Sequence, residues 1–147
     1  LYLSRSDEPD TVDLADTLIM MGKKVLAPVL TDGHGRSLHE PAWAWYDSKN
    51  VRTGLWQIPE PIAPILPASA IDQVEVVLCS ALFVDRSGYR VGVGGGWYDR
   101  VLVHRADDVP VWAVVNDDEI LDEVPHDPWD ESVTAALTPS GLHMLGQ

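Results

Sequence analysis

A chain of 147 residues with 46% hydrophobic content and six tryptophans has the makings of a folded core, not of a disordered segment. Its formal net charge of −13 opposes non-specific binding to nucleic acid and to anionic membranes. No apolar run approaches the roughly 20 residues of a membrane helix, and one cysteine excludes an intrachain disulfide, so a single cytoplasmic domain is expected.

Leu1–Leu3 reads as the end of a strand. Ser6 to Thr11 carries turn and helix-cap chemistry, with Pro9 near the first helical turn. From Val12 apolar residues recur at helical spacing through Leu14, Leu18 and Met21, with Ala15 and Ile19 beside them. Gly22 ends that helix, and Lys23 and Lys24 suit its C-terminus. Val25–Leu30 is a second strand, so strand, helix and strand together predict a βαβ unit on a parallel sheet. Thr31–Arg36 is a turn and Trp43–Tyr46 a short strand. Ile58–Pro67 holds four prolines and must be extended and irregular.

Val74–Val84 is the best candidate for a buried strand, and Cys79 within it reads as a core residue rather than a nucleophile. Asp85–Gly88 is a turn, Trp97–Arg105 a helix, Pro110–Val115 a strand and Ser132–Leu137 a final strand. The fold class expected is α/β: three layers, α/β/α, about a mainly parallel Rossmann-like sheet, with a small hairpin insertion. The whole of residues 1–147 is expected to be one domain.

Between these elements lies Gly92-Val93-Gly94-Gly95-Gly96-Trp97-Tyr98-Asp99-Arg100. Four glycines in five positions leave a backbone that a ligand can approach closely. Successive N–H groups in such a loop can turn toward one anion. A strand before the run and a helix after it complete a phosphate-binding arrangement. The run lacks the Gly-Lys-Ser/Thr ending of a Walker loop and the G-x-G-x-x-G spacing of a dinucleotide fingerprint. A tight surface loop is the plain alternative. Arg90 can offer phosphate a two-pronged donor, whereas Arg100 reads as a surface arginine in a salt bridge. Asp99 suits the first turn of a helix by dipole alone, and beside phosphate it becomes a candidate magnesium ligand.

Gly88 to Arg100 resembles the signature of the 5-formyltetrahydrofolate cyclo-ligase family, also called methenyltetrahydrofolate synthetase, which reads G-x-R-L-G-x-G-x-G-Y-Y-D. Asp85 fits that family's acidic residue just before it. Leu3 to Thr11 is similar to the family's strand end followed by E-x-x-T. Gly54 to Pro61 is similar to its G-I-x-E-P segment, and Pro125-His126-Asp127 to its C-terminal P-x-x-x-x-D segment. The resemblance implies cyclisation of 5-formyltetrahydrofolate to 5,10-methenyltetrahydrofolate with hydrolysis of ATP to ADP and phosphate. It implies ATP binding by Arg90, Gly92, Val93, Gly94, Gly95, Gly96, Trp97 and Tyr98. It implies folate contacts from Leu3, Glu8 and Trp56 and from Val93 to Trp97, and magnesium at Asp99 and Asp127.

Without the family, Glu8 reads as a helix cap, Trp56 as a core aromatic and Asp127 as a turn residue. The reaction that the resemblance implies requires no serine, cysteine or histidine nucleophile, and His34, His39, His104, His126 and His143 suggest no triad. A monomer acting on folate and ATP is expected, without nucleic-acid or membrane partners. The chain departs from the pattern in two places that matter. Family members begin with a basic helix, so an N-terminal truncation relative to them is expected here, and Val93 stands where a long residue such as Arg is frequent. Those departures support one alternative, a non-catalytic folate- or nucleotide-binding relative.

Overall fold

The computed structural model describes residues 1–92 and 96–146. The chain divides into two compact units, Leu1–Ile71 and Asp72–Gln147.

In the first unit, helix α1 spans Thr11–Met20. Asp10 caps it by accepting a hydrogen bond from the Asp13 N–H at 3.0 Å. Gly22 takes φ +83°, and the Gly22 and Lys23 N–H groups close on the Ile19 and Leu18 carbonyls. This Schellman stop is why the helix ends where the glycine stands. Thr11 ties the helix start to the chain entering it. Its N–H donates to Ser4 Oγ, its hydroxyl donates to the Tyr2 carbonyl, and its Oγ1 accepts from the Ser4 N–H.

Strand β1 is Leu26–Thr31, β2 Ser37–Trp45, β3 Val51–Thr53, β4 Pro59–Pro61 and β5 Leu66–Pro67. They pair antiparallel, in the order β1-β2-β5 with a separate β3–β4 hairpin. The expected βαβ unit is therefore not formed by these elements. Leu1–Leu3 lies in no strand, and β1 pairs with β2 across the short turn at Asp32–Arg36. A connection that short joins only antiparallel neighbours, because a parallel pair needs a crossover of a dozen residues or more. The register slips between Val29 and Thr31. Pro41, which has no N–H to donate, falls in the part of β2 that this slip leaves outside the ladder. Leu3, Ala15, Val25, Ala27 and Tyr46 form one buried cluster, and Val29, Ala42 and Ala44 another.

In the second unit, β6 is Val77–Ser80, β7 Phe83–Asp85, β8 Arg90–Val91, α2 Trp97–Leu102, β9 Val111–Val114, β10 Ile120–Leu121, β11 Ala135–Thr138 and β12 Gly141–Met144. The main sheet runs β12-β11-β9-β6, with β6, β9 and β11 parallel and β12 antiparallel at the edge. A smaller sheet runs β10-β7-β8. The segment expected as one strand from Val74 to Val84 is two strands in different sheets, parted at Ala81–Leu82. The helix expected to reach Arg105 closes at Leu102 in 3₁₀-type bonds from His104 and Arg105 to the Val101 and Leu102 carbonyls.

The fold is thus α/β with mixed sheets. Three ladders are parallel and five antiparallel among the described residues, spread over four sheets, so parallel pairing prevails only in the main sheet of the second unit and not in one sheet across the chain. Cys79 is fully buried in β6, and burial pushes its thiol up to about 11, consistent with a core role.

Candidate functional site

The second unit builds its charged arm on the β7–β8 hairpin. Asp85 closes the hairpin turn. Its Oδ1 accepts from the Ser87 and Tyr89 N–H groups, both at 3.0 Å, and its Oδ2 accepts from the Val124 N–H at 3.0 Å. Gly88 sits in that turn at φ +96°, and a Cβ there would stand 2.4 Å from the Val133 carbonyl oxygen. Only glycine meets both the dihedral and the clearance.

The next residue but one is Arg90, whose side chain is only 7% exposed. Its Nη2 donates to Asp99 Oδ1 at 3.2 Å, and its Cζ lies 5.6 Å from the centre of the Tyr98 ring. Its Nε is buried and has no hydrogen-bond partner among the described residues. A buried guanidinium N–H is costly to leave without an acceptor, so this one calls for an acceptor beyond the described residues. Asp99, in the first turn of α2, also accepts from the Glu131 N–H on Oδ1, at 3.1 Å. Trp97 packs edge-on against Tyr98, with ring centres 4.9 Å apart. Arg100 is exposed. Val93, Gly94 and Gly95 lie outside the described residues, while Gly92 and Gly96 flank them as exposed backbone.

Asp127 is exposed and sits in a turn, its N–H donating to Asp130 Oδ2 at 2.8 Å. The turn reading of Asp127 therefore describes its local geometry. Among the described residues no group of three His, Cys, Asp or Glu side chains could hold a metal by itself. His126, just before it, stacks on Tyr89 with centroids 3.5 Å apart and ring planes 4° from parallel.

In the first unit a cavity of about 200 Å³ is lined by Ser4, Arg5, Ser6, Glu8, Asp10 and Val12. Glu8 is one of the lining residues, its Oε1 accepting from the Arg5 N–H at 2.8 Å with Arg5 Nε 3.6 Å away. Asp10, not Glu8, caps α1. Leu3 packs in the core beside Ala15 and Val25, so its side chain is not offered to a ligand.

Trp56 lies at the other end of the unit's hairpin, 70% exposed, with φ +54° and ψ +28°. It is not a core aromatic. The loop that carries it is closed by Gly54 N–H to the Ile58 carbonyl at 2.8 Å. Beneath it Glu60 is buried with both oxygens engaged. Oε1 accepts from Arg52 and from the Thr31 hydroxyl, each at 2.6 Å, and Oε2 accepts from the Leu30 N–H at 2.9 Å. A large apolar ring held out in water on a left-handed residue is an arrangement a ligand can use.

A model of the 5-formyltetrahydrofolate cyclo-ligase family matches residues 1–139. The chain belongs to the 5-formyltetrahydrofolate cyclo-ligase family. It is 41% identical over 138 residues to a 5-formyltetrahydrofolate cyclo-ligase of Mycolicibacterium smegmatis, covering 94% of this chain and 71% of that protein. It is 31% identical over 144 residues to one of Escherichia coli K12, covering 95% and 76%. The fold is similar to that of the 5,10-methenyltetrahydrofolate synthetase of Aquifex aeolicus, with a TM-score of 0.76 at 21% identity over 99% of this chain and 70% of the other.

Within this cyclo-ligase chain the structure joins Arg90, Tyr98 and Asp99 directly. It keeps Leu3, Glu8 and Trp56 in the first unit. Sequence reasoning missed the tie from Asp85 to Val124 and the Tyr89–His126 stack. An aromatic beside the signature arginine and a histidine beside the C-terminal aspartate were the available signals. A larger cavity of about 340 Å³, lined by Arg86, Ile120, His143, Met144 and Leu145, includes none of the candidate ATP, folate or magnesium residues. Next to it Asp117, Ser140 and His143 do meet. Both Asp117 and Ser140 face the same ring nitrogen, Nε2, so they form no nucleophilic relay.

Proposed function

We propose that this chain catalyses the ATP- and magnesium-dependent cyclisation of 5-formyltetrahydrofolate to 5,10-methenyltetrahydrofolate, releasing ADP and phosphate. In this reading the formyl oxygen attacks the γ-phosphorus and ADP leaves. The neighbouring folate nitrogen then attacks the activated carbon and phosphate leaves. Such a reaction asks the protein for positioning and for neutralised charge rather than for a nucleophile.

The Arg90 guanidinium carries the reading. It is buried in a chain of net charge −13, it opens the glycine run, and its Nε has no acceptor among the described residues. A phosphate oxygen is the acceptor proposed, with Gly92 to Gly96, Trp97 and Tyr98 completing the nucleotide site. Asp99 and Asp127 are proposed to hold magnesium, which would screen the phosphates. Their number suits an ion that keeps phosphate and water ligands and takes only one or two carboxylates. Among the described residues both hydrogen bonds to Asp99 fall on Oδ1, which is compatible with a cation at Oδ2. Folate is assigned to Glu8, to the Leu3 main chain and to the exposed face of Trp56. Residues 93–97 are assigned to it as well. A three-layer arrangement, a single domain over residues 1–147, a monomeric state and a cytoplasmic location are proposed alongside. No helix among the described residues is long and apolar enough to cross a membrane.

The test is spectrophotometric. Mixing the protein with 5-formyltetrahydrofolate, ATP and magnesium is expected to produce methenyltetrahydrofolate absorbance, and Arg90→Ala is expected to abolish its growth. Tight binding of both ligands by calorimetry with no absorbance change would instead favour the non-catalytic relative.

A further inference from the structure

We infer that Asp85 and the Tyr89–His126 stack act as one strut that registers the Asp127 segment against Arg90. The inference rests on the roles just proposed for Arg90 and Asp127, and it adds residues that are proposed to touch neither ATP nor metal.

Asp85 is 2% exposed, and a carboxylate so deeply placed must have its oxygens satisfied. It is satisfied by N–H groups from two separate segments. Ser87 and Tyr89 belong to the turn that leads into Arg90, and Val124 leads into Asp127. One side chain therefore sets the spacing between two stretches 39 residues apart in sequence. Only a carboxylate serves here. Asparagine would offer one oxygen and turn an NH₂ toward an N–H that needs an acceptor.

The second tie shares Tyr89 with the first and lies two residues nearer Asp127. Tyr89 immediately precedes Arg90, His126 immediately precedes Asp127, and the two rings are stacked 3.5 Å apart. His126 Nδ1 is 3.5 Å from the Val124 carbonyl, the residue whose N–H Asp85 holds. Both ties thus converge on the stretch from Val124 to His126. A tie that served the fold alone would weaken every ligand together as folded protein was lost. A positioning strut weakens the nucleotide and leaves folate alone.

The test is calorimetric titration of the full chain with a non-hydrolysable ATP analogue in magnesium, and separately with 5-formyltetrahydrofolate. His126 is exposed, so His126→Ala is expected to fold. It is expected to weaken the analogue about fivefold, the worth of a stacked pair, with folate affinity unchanged. His126→Phe, which keeps the stack, is expected to restore affinity. Asp85→Asn is expected to weaken the analogue by about tenfold or more, as loss of an outer-shell partner does. In the ligand-free protein it should also shift the Val124 amide resonance.

An analogue affinity unchanged by His126→Ala overturns the strut, as does an equal loss for both ligands. A wild-type protein that binds no nucleotide overturns the nucleotide reading and the strut with it. A wild-type protein that binds nucleotide beside an indifferent His126→Ala removes the strut alone.

Discussion

Arg90 Nη2 stands 3.2 Å from Asp99 Oδ1, so the residue that opens the glycine run is ion-paired to the residue that follows it in α2. The pair engages Nη2 and leaves Nε, which has no acceptor among the described residues. Lysine at position 90 would keep a charge near Asp99 but lose the planar fork and the Nε donor. Arg90→Lys is therefore expected to lower ATP-analogue affinity between about tenfold and a hundredfold, the worth of a charged hydrogen bond. Calorimetry would read this directly, and an affinity within twofold of wild type would contradict the role assigned to Nε.

Trp56 separates stability from binding. Its ring is 70% exposed, so its loss removes little packing, and its φ of +54° is one that glycine adopts without strain. Trp56→Gly is expected to leave the folding free energy unchanged or to raise it by up to about 1 kcal/mol. The same variant is expected to raise the KM for 5-formyltetrahydrofolate several-fold, with the KM for ATP unmoved. Urea unfolding and steady-state kinetics on one preparation check both halves. An unchanged folate KM would return Trp56 to the status of a surface residue.

Glu60 holds the hairpin beneath that loop. Its carboxylate is 2% exposed and receives Arg52, the Thr31 hydroxyl and the Leu30 N–H. Glu60→Ala strands the Arg52 guanidinium and the donors together. A loss of about 3–5 kcal/mol is expected on chemical denaturation, as when one partner of a buried pair is removed.

Gly88 sets a backbone limit on the β7–β8 hairpin. An added methyl would meet the Val133 carbonyl oxygen at 2.4 Å, and the dihedral of +96° is strained for any side chain. Gly88→Ala is expected to cost about 2–4 kcal/mol, from overpacking and strain together. The shift should appear in the urea midpoint, and a loss below about 0.5 kcal/mol would show that the hairpin relaxes easily.

Local signals in the sequence proved informative where one residue carries the physics. Asp10 capped α1 and Gly22 stopped it, because capping and left-handed turning are properties of single residues. Strand direction was another matter. Val25–Leu30 looks the same in a parallel or an antiparallel sheet, and its partner β2 starts in a largely exposed stretch, Ser37–Glu40, where Leu38 alone is half-buried and makes no apolar pattern. β12 escaped notice for the same reason, since Leu142, His143 and Met144 are all exposed. At the site, the family pattern marked Arg90, Asp99 and Trp56 by position. Whether Trp56 lay in the core, or what Asp85 held, depended on burial and on Val124, which no local window contains.

The edge hairpin offers a pH test independent of any ligand. Asp117 Oδ1 accepts from the hydroxyls of Ser140 and Thr138, and these bonds hold its carboxyl below the usual value of 3.8. With both hydroxyl protons directed to Asp117, His143 Nε2, about 3 Å from each oxygen, acts as donor. A neutral ring protonated at Nε2 suffices for that, so the clasp does not require a charged histidine. A carboxyl whose folded pKa is depressed contributes stability that is present above its unfolded value. That stability is lost as pH falls through the folded one. The β11–β12 pairing is therefore expected to hold at pH 6 and to loosen as pH drops through and below 3.8. Hydrogen-exchange protection factors of the β12 amides would report it. Asp117→Asn keeps an oxygen for one hydroxyl but no titrating group, so its protection is expected to be lower at pH 6 and nearly flat across this range. A wild-type profile as flat as that of the variant would show that the clasp does not couple to the hairpin.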